Sequence, residues 1–294
     1  MRRPFPAQCI PRRSGCNPSQ RAVGRRVQSV GCKHQHHSFR RTIMTVRRLV
    51  VTLFLSAGML AAHAGPLSWM SGAEHVQGSG KIVKQTREVG HFSALSVGVS
   101  GDVDIRLGST ESVTVETDDN IQSAIETVVE NGTLRIRPLK NNIKLDTRTM
   151  KIVVQARTLD KLSIGGSGNV TADKLRGENL TIDVGGSGSI SVGQMESESV
   201  AIALGGSGSL KAAGSTERLQ VSIGGSGRVQ VGQLQARDAV VSIGGSGQAT
   251  VWAKKSLNLS VAGSGDINYY GDPQISKSIM GSGSVKRLGG APQN

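Results

Sequence analysis

The sequence predicts an all-β fold, a parallel β-solenoid of about seven Gly-Ser-Gly repeats with an N-terminal β layer before it. Two observations predict this class. The phrase Gly-Ser-Gly recurs seven times within residues 159–288, and its serines lie 20, 20, 19, 20, 18 and 18 residues apart. Apolar residues also return at fixed offsets from each serine. A constant period near twenty residues is typical of folds in which short units stack on their neighbours.

The residues around each serine alternate between apolar and polar side chains. Position −3 is always apolar: Ile164, Val184, Leu204, Ile223, Ile243, Val261 and Ile279. Positions −5 and +3 are also apolar, except that Lys277 occupies position −5 of the last repeat. A period of two predicts strands with one buried face. One repeat cannot bury that face alone, so we expect equivalent strands to pair in parallel and in register.

Each repeat is predicted to be a strand, a sharp Gly-Ser-Gly corner, a second strand and a looser return. Glycine is expected at the corner because the backbone there needs a positive φ. A phosphate-binding loop would need Lys followed by Ser or Thr after its second glycine, and no copy has this. A calcium-binding nonapeptide would need Asp and a period of nine. The corners are therefore predicted to form a structural ladder.

The N-terminal segment explains the basic charge of the whole chain. Residues 1–64 contain 12 of the 35 lysines and arginines, none of the 21 acidic residues and all three cysteines. The rest of the chain is nearly neutral, so the net charge of +14 does not indicate nucleic-acid binding. The absence of cysteine after residue 64 excludes disulfides and a thiol nucleophile there.

Residues 44–64 have the pattern of a secretory signal peptide. Arg47 and Arg48 precede an apolar run over 49–62, which is too short to span a membrane, and Ala62-His63-Ala64 matches a cleavage site. We expect residues 1–43 to be a disordered upstream extension, with translation starting at Met44. An organelle transit peptide shares this composition and remains an alternative.

The segment before the repeats is predicted in two parts, a flexible lead-in over 65–80 and an irregular β layer over 81–158 that covers the N-terminal end of the solenoid. Asp118-Asp119-Asn120 is expected to begin a short helical turn. Asn131-Gly132 is expected to form a hairpin turn. At the other end, Lys277, Lys286 and Arg287 mark a terminal repeat, and 289–294 are expected to be a disordered tail.

Several features resemble the head-GIN domain family of bacterial envelope proteins, which are labelled autotransporter adhesins. They are Phe92-Ser93-Ala94-Leu95-Ser96-Val97, Asp118-Asp119-Asn120, Glu130-Asn131-Gly132-Thr133-Leu134, the Gly-Ser-Gly ladder, and Asp266 to Pro273. The resemblance covers roughly residues 85–288. It implies a right-handed β-helix behind an N-terminal β layer, and it carries no catalytic residue over to this chain.

The candidate ligand patch consists of Trp252, Tyr270, Lys254 and Lys255. Both rings follow their serines by six residues, so stacked repeats should bring them together. Such a pair could stack on a sugar ring or a partner side chain. The alternative is that the rings close the C-terminal end of the core.

The sequence offers no catalytic, cofactor or metal site. Asp173, Asp183 and Asp266 lie at different offsets from their serines, so they do not form one column. The leading hypothesis is an exported, non-catalytic protein that binds a polysaccharide or envelope component, in the periplasm or on the surface of a Gram-negative cell. A self-associating structural scaffold is the alternative. A polysaccharide-active enzyme comes third and depends on fold analogy alone.

Overall fold

A computed structural model describes residues 74–293. The upstream extension (1–43), the signal peptide (44–64) and most of the lead-in lie outside the described residues. Among the described residues, no helix is long and apolar enough to cross a membrane.

The strands before the repeats are short. They are β1 (Glu74–Gln77), β2 (Ile82–Glu88), β3 (Ala94–Val97), β4 (Asp102–Leu107), β5 (Ser112–Asp118), β6 (Ile125–Glu130), β7 (Thr133–Pro138), β8 (Ile143–Asp146), β9 (Lys151–Ala156) and β10 (Lys161–Ile164). One short helix, α1 (Asp119–Gln122), follows β5. It begins at the predicted helical turn. The β6–β7 hairpin turns at Asn131 and Gly132, both with positive φ, as predicted.

The strands of the repeats are much longer. They are β11 (Asn169–Val184), β12 (Ser189–Leu204), β13 (Ser209–Ile223), β14 (Arg228–Gly245) and β15 (Gln248–Gly263), followed by β16 (Asp266–Tyr270), β17 (Gln274–Gly281) and β18 (Ser284–Gly289). Consecutive strands from β11 to β16 pair in parallel, β17 pairs with β15 and β18 with β16, and the seven corners delimit a solenoid of about six turns. The predicted fold class is confirmed. We call each turn a rung.

Residues at the same offset from the Gly-Ser-Gly serines pair with each other in neighbouring rungs. Ile182 pairs with Ile202, Ile202 with Val221, and Val221 with Val241. Columns −5, −3 and +3 are buried in every rung from β10 to β16. Stacked Ile, Val and Leu side chains thus form one continuous core, because each rung covers the apolar face of the rung before it.

The return between rungs differs from the prediction. It was expected to be loose, but β11 to β15 run through it as unbroken strands of 15 to 18 residues, and residues such as Leu175 and Met195 pair across it. Leu175, Met195 and Leu234 are buried there. These apolar side chains lie at about the same place in each return and add a third wall to the core. The alternating pattern around the serines covers only two strands and did not reveal this wall.

The reason for glycine at the corner also differs from the prediction. Of the glycines that open the seven phrases, only Gly245, Gly263 and Gly281 have positive φ. The shared cause is close contact between rungs. A Cβ on Gly206 would overlap the carbonyl oxygen of Gly186, and a Cβ on Gly225 would lie 2.5 Å from that of Gly206. The corners stack backbone on backbone, so only glycine fits.

The N-terminal β layer continues the same stack. Strand β3 pairs in parallel with β10, and β4 pairs in parallel with β11. The Gly165 N–H donates to the Val97 carbonyl at 2.9 Å, which repeats the Gly185-to-Ile164 bond of the next corner. Beyond β3 and β4, the parallel strands β7 and β9 are followed by antiparallel β6, β5 and β2. The layer therefore ends the parallel ladder with antiparallel strands.

The described part of the predicted lead-in contains a strand. β1 pairs in parallel with β8, and Gly78-Ser79-Gly80 then binds the α1 region. Asp118 is 2% exposed and accepts hydrogen bonds from the Gly80 N–H at 2.6 Å and the Thr147 hydroxyl at 2.5 Å. We call residues 74–80 the strap. Its attachment depends on side chains forty residues away, so local composition did not indicate it.

Within residues 74–293, no strand or loop covers the last rung. Every residue of β17 is exposed, although Ile275 and Ile279 continue core columns. Strand β18 extends to Gly289, the first residue of the segment predicted as a disordered tail. The solenoid therefore has a covered N-terminal end and an open C-terminal end.

Candidate functional site

Trp252 and Tyr270 lie side by side on the outer wall of the solenoid. They are register partners on β15 and β16, as the equal offsets predicted. Val251, Ala253 and Tyr269 alternate with them and are buried, whereas both rings of the pair are half-exposed. Neighbouring strands lie about 4.8 Å apart, which suits two rings that present one continuous apolar surface.

The position that closes the core belongs to another aromatic residue. Tyr269 is 9% exposed and continues the column of Val251, whereas Tyr270 points to the opposite face. The sequence offset of six residues selected Tyr270 rather than Tyr269 for the candidate patch. The strand alternation decides between them, because successive side chains lie on opposite faces.

The Tyr270 ring lies against Gly232, two strands away. A Cβ on Gly232 would lie 3.2 Å from Tyr270 Cε2 and 3.0 Å from Thr250 Cγ2, so this glycine leaves room for the ring. A cavity of about 200 Å³ opens beside it. Its lining comprises Lys211, Gln230, Gly232, Gln233, Thr250, Tyr270, Pro292 and Gln293. The cavity joins one aromatic ring to an amine and to several amide groups.

Sequence reasoning missed the polar half of this cavity. Lys211, Gln230 and Thr250 share one column after the corner, on β13, β14 and β15. Their common offset of +4 from the serines was a usable signal. The contribution of Pro292 and Gln293 had no such signal, since it depends on where β18 ends.

Comparison with known proteins identifies the family of this chain. Residues 91–273 match the family described as "Putative auto-transporter adhesin, head GIN domain". The chain belongs to this family. The search of curated proteins gives no match.

Several solved structures are similar to this chain. The head GIN chain is 27% identical to a "putative adhesin" from Bacteroides fragilis, with a TM-score of 0.69, over 72% of this chain and 100% of that one. It is 28% identical to a "Putative lipid binding protein" from Parabacteroides distasonis, with a TM-score of 0.63, over 73% and 100%. A "putative adhesin" from Parabacteroides merdae is 21% identical, with a TM-score of 0.60, over 74% and 100%, and supports the fold alone.

The two lysines of the candidate patch do not line the cavity beside Tyr270 in this head GIN domain. Lys254 lines a separate groove of about 360 Å³, together with Gln235, Arg237, Glu217 and residues of the two rungs before them. Arg237 Nη1 lies 3.4 Å from Glu217 Oε2 in this groove. Lys255 is exposed and lines neither cavity. The structure thus pairs Trp252 with Tyr270, and it places Lys254 in a different groove from Tyr270.

Several acidic residues of the head GIN solenoid form ion pairs and hydrogen bonds. Asp183 lies 3.0 Å from Lys161 Nζ, and Asp266 accepts a hydrogen bond from the Ser284 hydroxyl at 2.6 Å. Glu196 binds Arg176 Nε at 2.7 Å, and this hydrogen bond is the main cause that lowers the pKa of Glu196. Asp183 and Asp266 lie in different columns, as predicted. Within residues 74–293, no cluster of three His, Cys, Asp or Glu could hold a metal ion.

A cavity of about 530 Å³ lies at the strap rather than on the solenoid wall. It is lined by strap residues, by Asp118 and Asp146, and by Thr147 and its neighbours. Both Asp118 oxygens already accept hydrogen bonds, and Ser79 donates to Asp119 at 2.5 Å. Asp118 and the Asp146 backbone carbonyl thus bind the strap at this cavity.

Proposed function

We propose that this head GIN domain is an exported, non-catalytic binding module of the cell envelope, whose outer wall binds polysaccharide at Trp252 and Tyr270. The observation that carries the proposal is the register pairing of two half-exposed rings on adjacent strands. Two neighbouring rings on a rigid sheet form a platform for the apolar face of a sugar. The rings are already held in place, so little conformational entropy is lost on binding.

The cavity beside Tyr270 supplies the polar contacts that a sugar needs. Lys211 offers an amine, and Gln230 and Gln233 offer amide donors and acceptors within the same lining. Sites of this kind combine an apolar surface with a few polar groups that fix orientation. The membership in an adhesin family and the adhesin-labelled relative support a binding role.

The test is a binding screen against bacterial and host polysaccharides, followed by titration of any hit with Trp252→Ala and Tyr270→Ala. Each substitution removes one ring from the platform, so we expect affinity to fall about tenfold or more. Val240→Ala, which trims an exposed side chain on another part of the wall, should leave affinity unchanged. Thermal unfolding of each variant separates binding from folding. Lost stability with unchanged affinity in the ring variants would overturn the proposal.

A further inference from the structure

The open end of the solenoid carries most of the exposed apolar surface among the described residues. Four of the seven exposed large hydrophobic side chains of residues 74–293 lie on the last rung: Ile275, Ile279, Met280 and Leu288. Met280 is 68% exposed. Apolar side chains gathered at one end of a molecule indicate an interaction surface.

The same rung is strongly basic. Residues 274–289 contain Lys277, Lys286 and Arg287 and no acidic residue. Two acidic residues contact this rung: Asp272, which is 94% exposed and lies 3.5 Å from Arg287, and Asp266, which accepts a hydrogen bond from Ser284 at 2.6 Å. Lys254 and Lys255 are exposed on the rung below. The end surface therefore has a net positive charge with apolar side chains among the cations.

The placement of two cations disfavours a second copy of this chain as the occupant. Lys277 occupies the core column of Leu259, and Arg287 occupies the column of Tyr269. Two open ends placed face to face would confront like charges and desolvate both. Charges at inward-pointing positions also prevent edge-to-edge association of sheets.

We propose that the last rung docks on the surface of an anionic lipid bilayer. Exposed apolar side chains with Lys and Arg among them match an interface that has acyl chains beneath negatively charged headgroups. Among the described strands, β17 pairs only with β15 and β18 only with β16, so each has one backbone edge without a partner strand. The N–H groups of that edge can donate to water or phosphate and the C=O groups need water, which limits insertion to the headgroup region.

The test uses the protein in the form that its own cells produce. It measures how much of this protein binds to vesicles of phosphatidylcholine, with or without phosphatidylglycerol. Lys277→Ser with Lys286→Ser removes two charges near the surface, so we expect about 30-fold weaker binding to the anionic vesicles. Met280→Ser with Leu288→Ser should weaken binding to both kinds of vesicle, because these side chains bury apolar area on docking.

The matched control makes the same kinds of change at the covered end. Lys84→Ser with Leu139→Ser removes one exposed cation and one side chain that is 58% exposed. This variant should bind like the wild type. Equal losses in the control and the test variants, or equal wild-type binding to both vesicles, would overturn the proposal. A solution dimer that Met280→Ser with Leu288→Ser dissociates, without vesicle binding, would assign the surface to a second copy instead.

Discussion

The first glycine of each corner phrase is explained by its distance from the rung below rather than by its own backbone conformation. Gly206 and Gly205 are adjacent in sequence, but their surroundings differ. A Cβ on Gly206 would overlap the Gly186 carbonyl oxygen, whereas a Cβ on Gly205 would lie 3.9 Å from the Val184 oxygen, an ordinary contact. Substitution of each of these two glycines therefore distinguishes a steric requirement for glycine from a general preference for it.

We expect Gly206→Ala to lower the free energy of unfolding by about 1–3 kcal/mol, since two rungs must move apart to admit the methyl group. Gly205→Ala should change it far less. Urea unfolding followed by circular dichroism measures both variants, and equal midpoints at an unchanged slope would show that backbone contact is not the constraint.

Single residues also show what sequence could predict about the candidate site. Equal offsets from the serines correctly paired Trp252 with Tyr270, because register follows the period. The separate placement of Lys254 and Lys255 was not predictable in the same way. The register between β14 and β15 shifts between Val231 and Gln235, and again between Ala236 and Asp238. Such irregularities change which face a later residue occupies.

At the scale of elements, the strap is held by ionic and polar contacts. Ser79 donates to Asp119, and this hydrogen bond is the main cause that lowers the pKa of Asp119. A carboxyl with a lowered pKa stabilises the docked strap while it is ionised. That stabilisation is present above the ordinary carboxyl pKa and is lost as the pH falls through the lowered value. Asp118, Asp146 and Lys81 surround the same loop.

We expect amide hydrogen exchange at Gly78 to Gly80 to become faster, relative to an unprotected reference peptide, as the pH falls below the ordinary carboxyl range. Asp119→Asn should already exchange faster at neutral pH and should respond less to acid. Glu196→Gln removes another carboxyl with a lowered pKa, on the solenoid wall, and should leave strap exchange unchanged. If Asp119→Asn matched the wild type at every pH, the strap would be held by other contacts.

In the N-terminal layer, apolar residues also occur at the offsets from a serine that define the repeats. Ser100 has Leu95 at −5, Val97 at −3 and Val103 at +3, and these residues pair with Leu162, Ile164 and Val170. The repeat signal therefore extends one rung before the first Gly-Ser-Gly phrase. It was hidden because Val99 replaces the first glycine of the corner. The antiparallel strands beyond it depend on long-range pairing that no fixed period encodes.

At the scale of the whole molecule, the two ends of the solenoid differ. Antiparallel strands close the N-terminal end, while the last rung has exposed Ile, Met and Leu side chains and three cations. Because its two ends differ, the solenoid has a defined direction. Docking of the last rung on lipid would leave the wall with Trp252 and Tyr270 free to meet a second ligand.

Export is the whole-molecule prediction. We expect cell fractionation and N-terminal sequencing to recover a chain that begins at Gly65, because Ala62-His63-Ala64 precedes that residue. Protease treatment of intact cells then separates a surface location from a periplasmic one. A cytoplasmic protein that begins at Met1 would contradict both the signal peptide and the envelope role.

The upper and lower faces of the inner rungs match each other, so the solenoid can change length by whole rungs. Every inner rung offers its neighbours the same columns of apolar side chains and the same glycine corner. Duplication of one period would insert a layer about 4.8 Å thick without altering either end. Related proteins could thus differ in span by whole layers, and the distance between the two ends would be set by copy number.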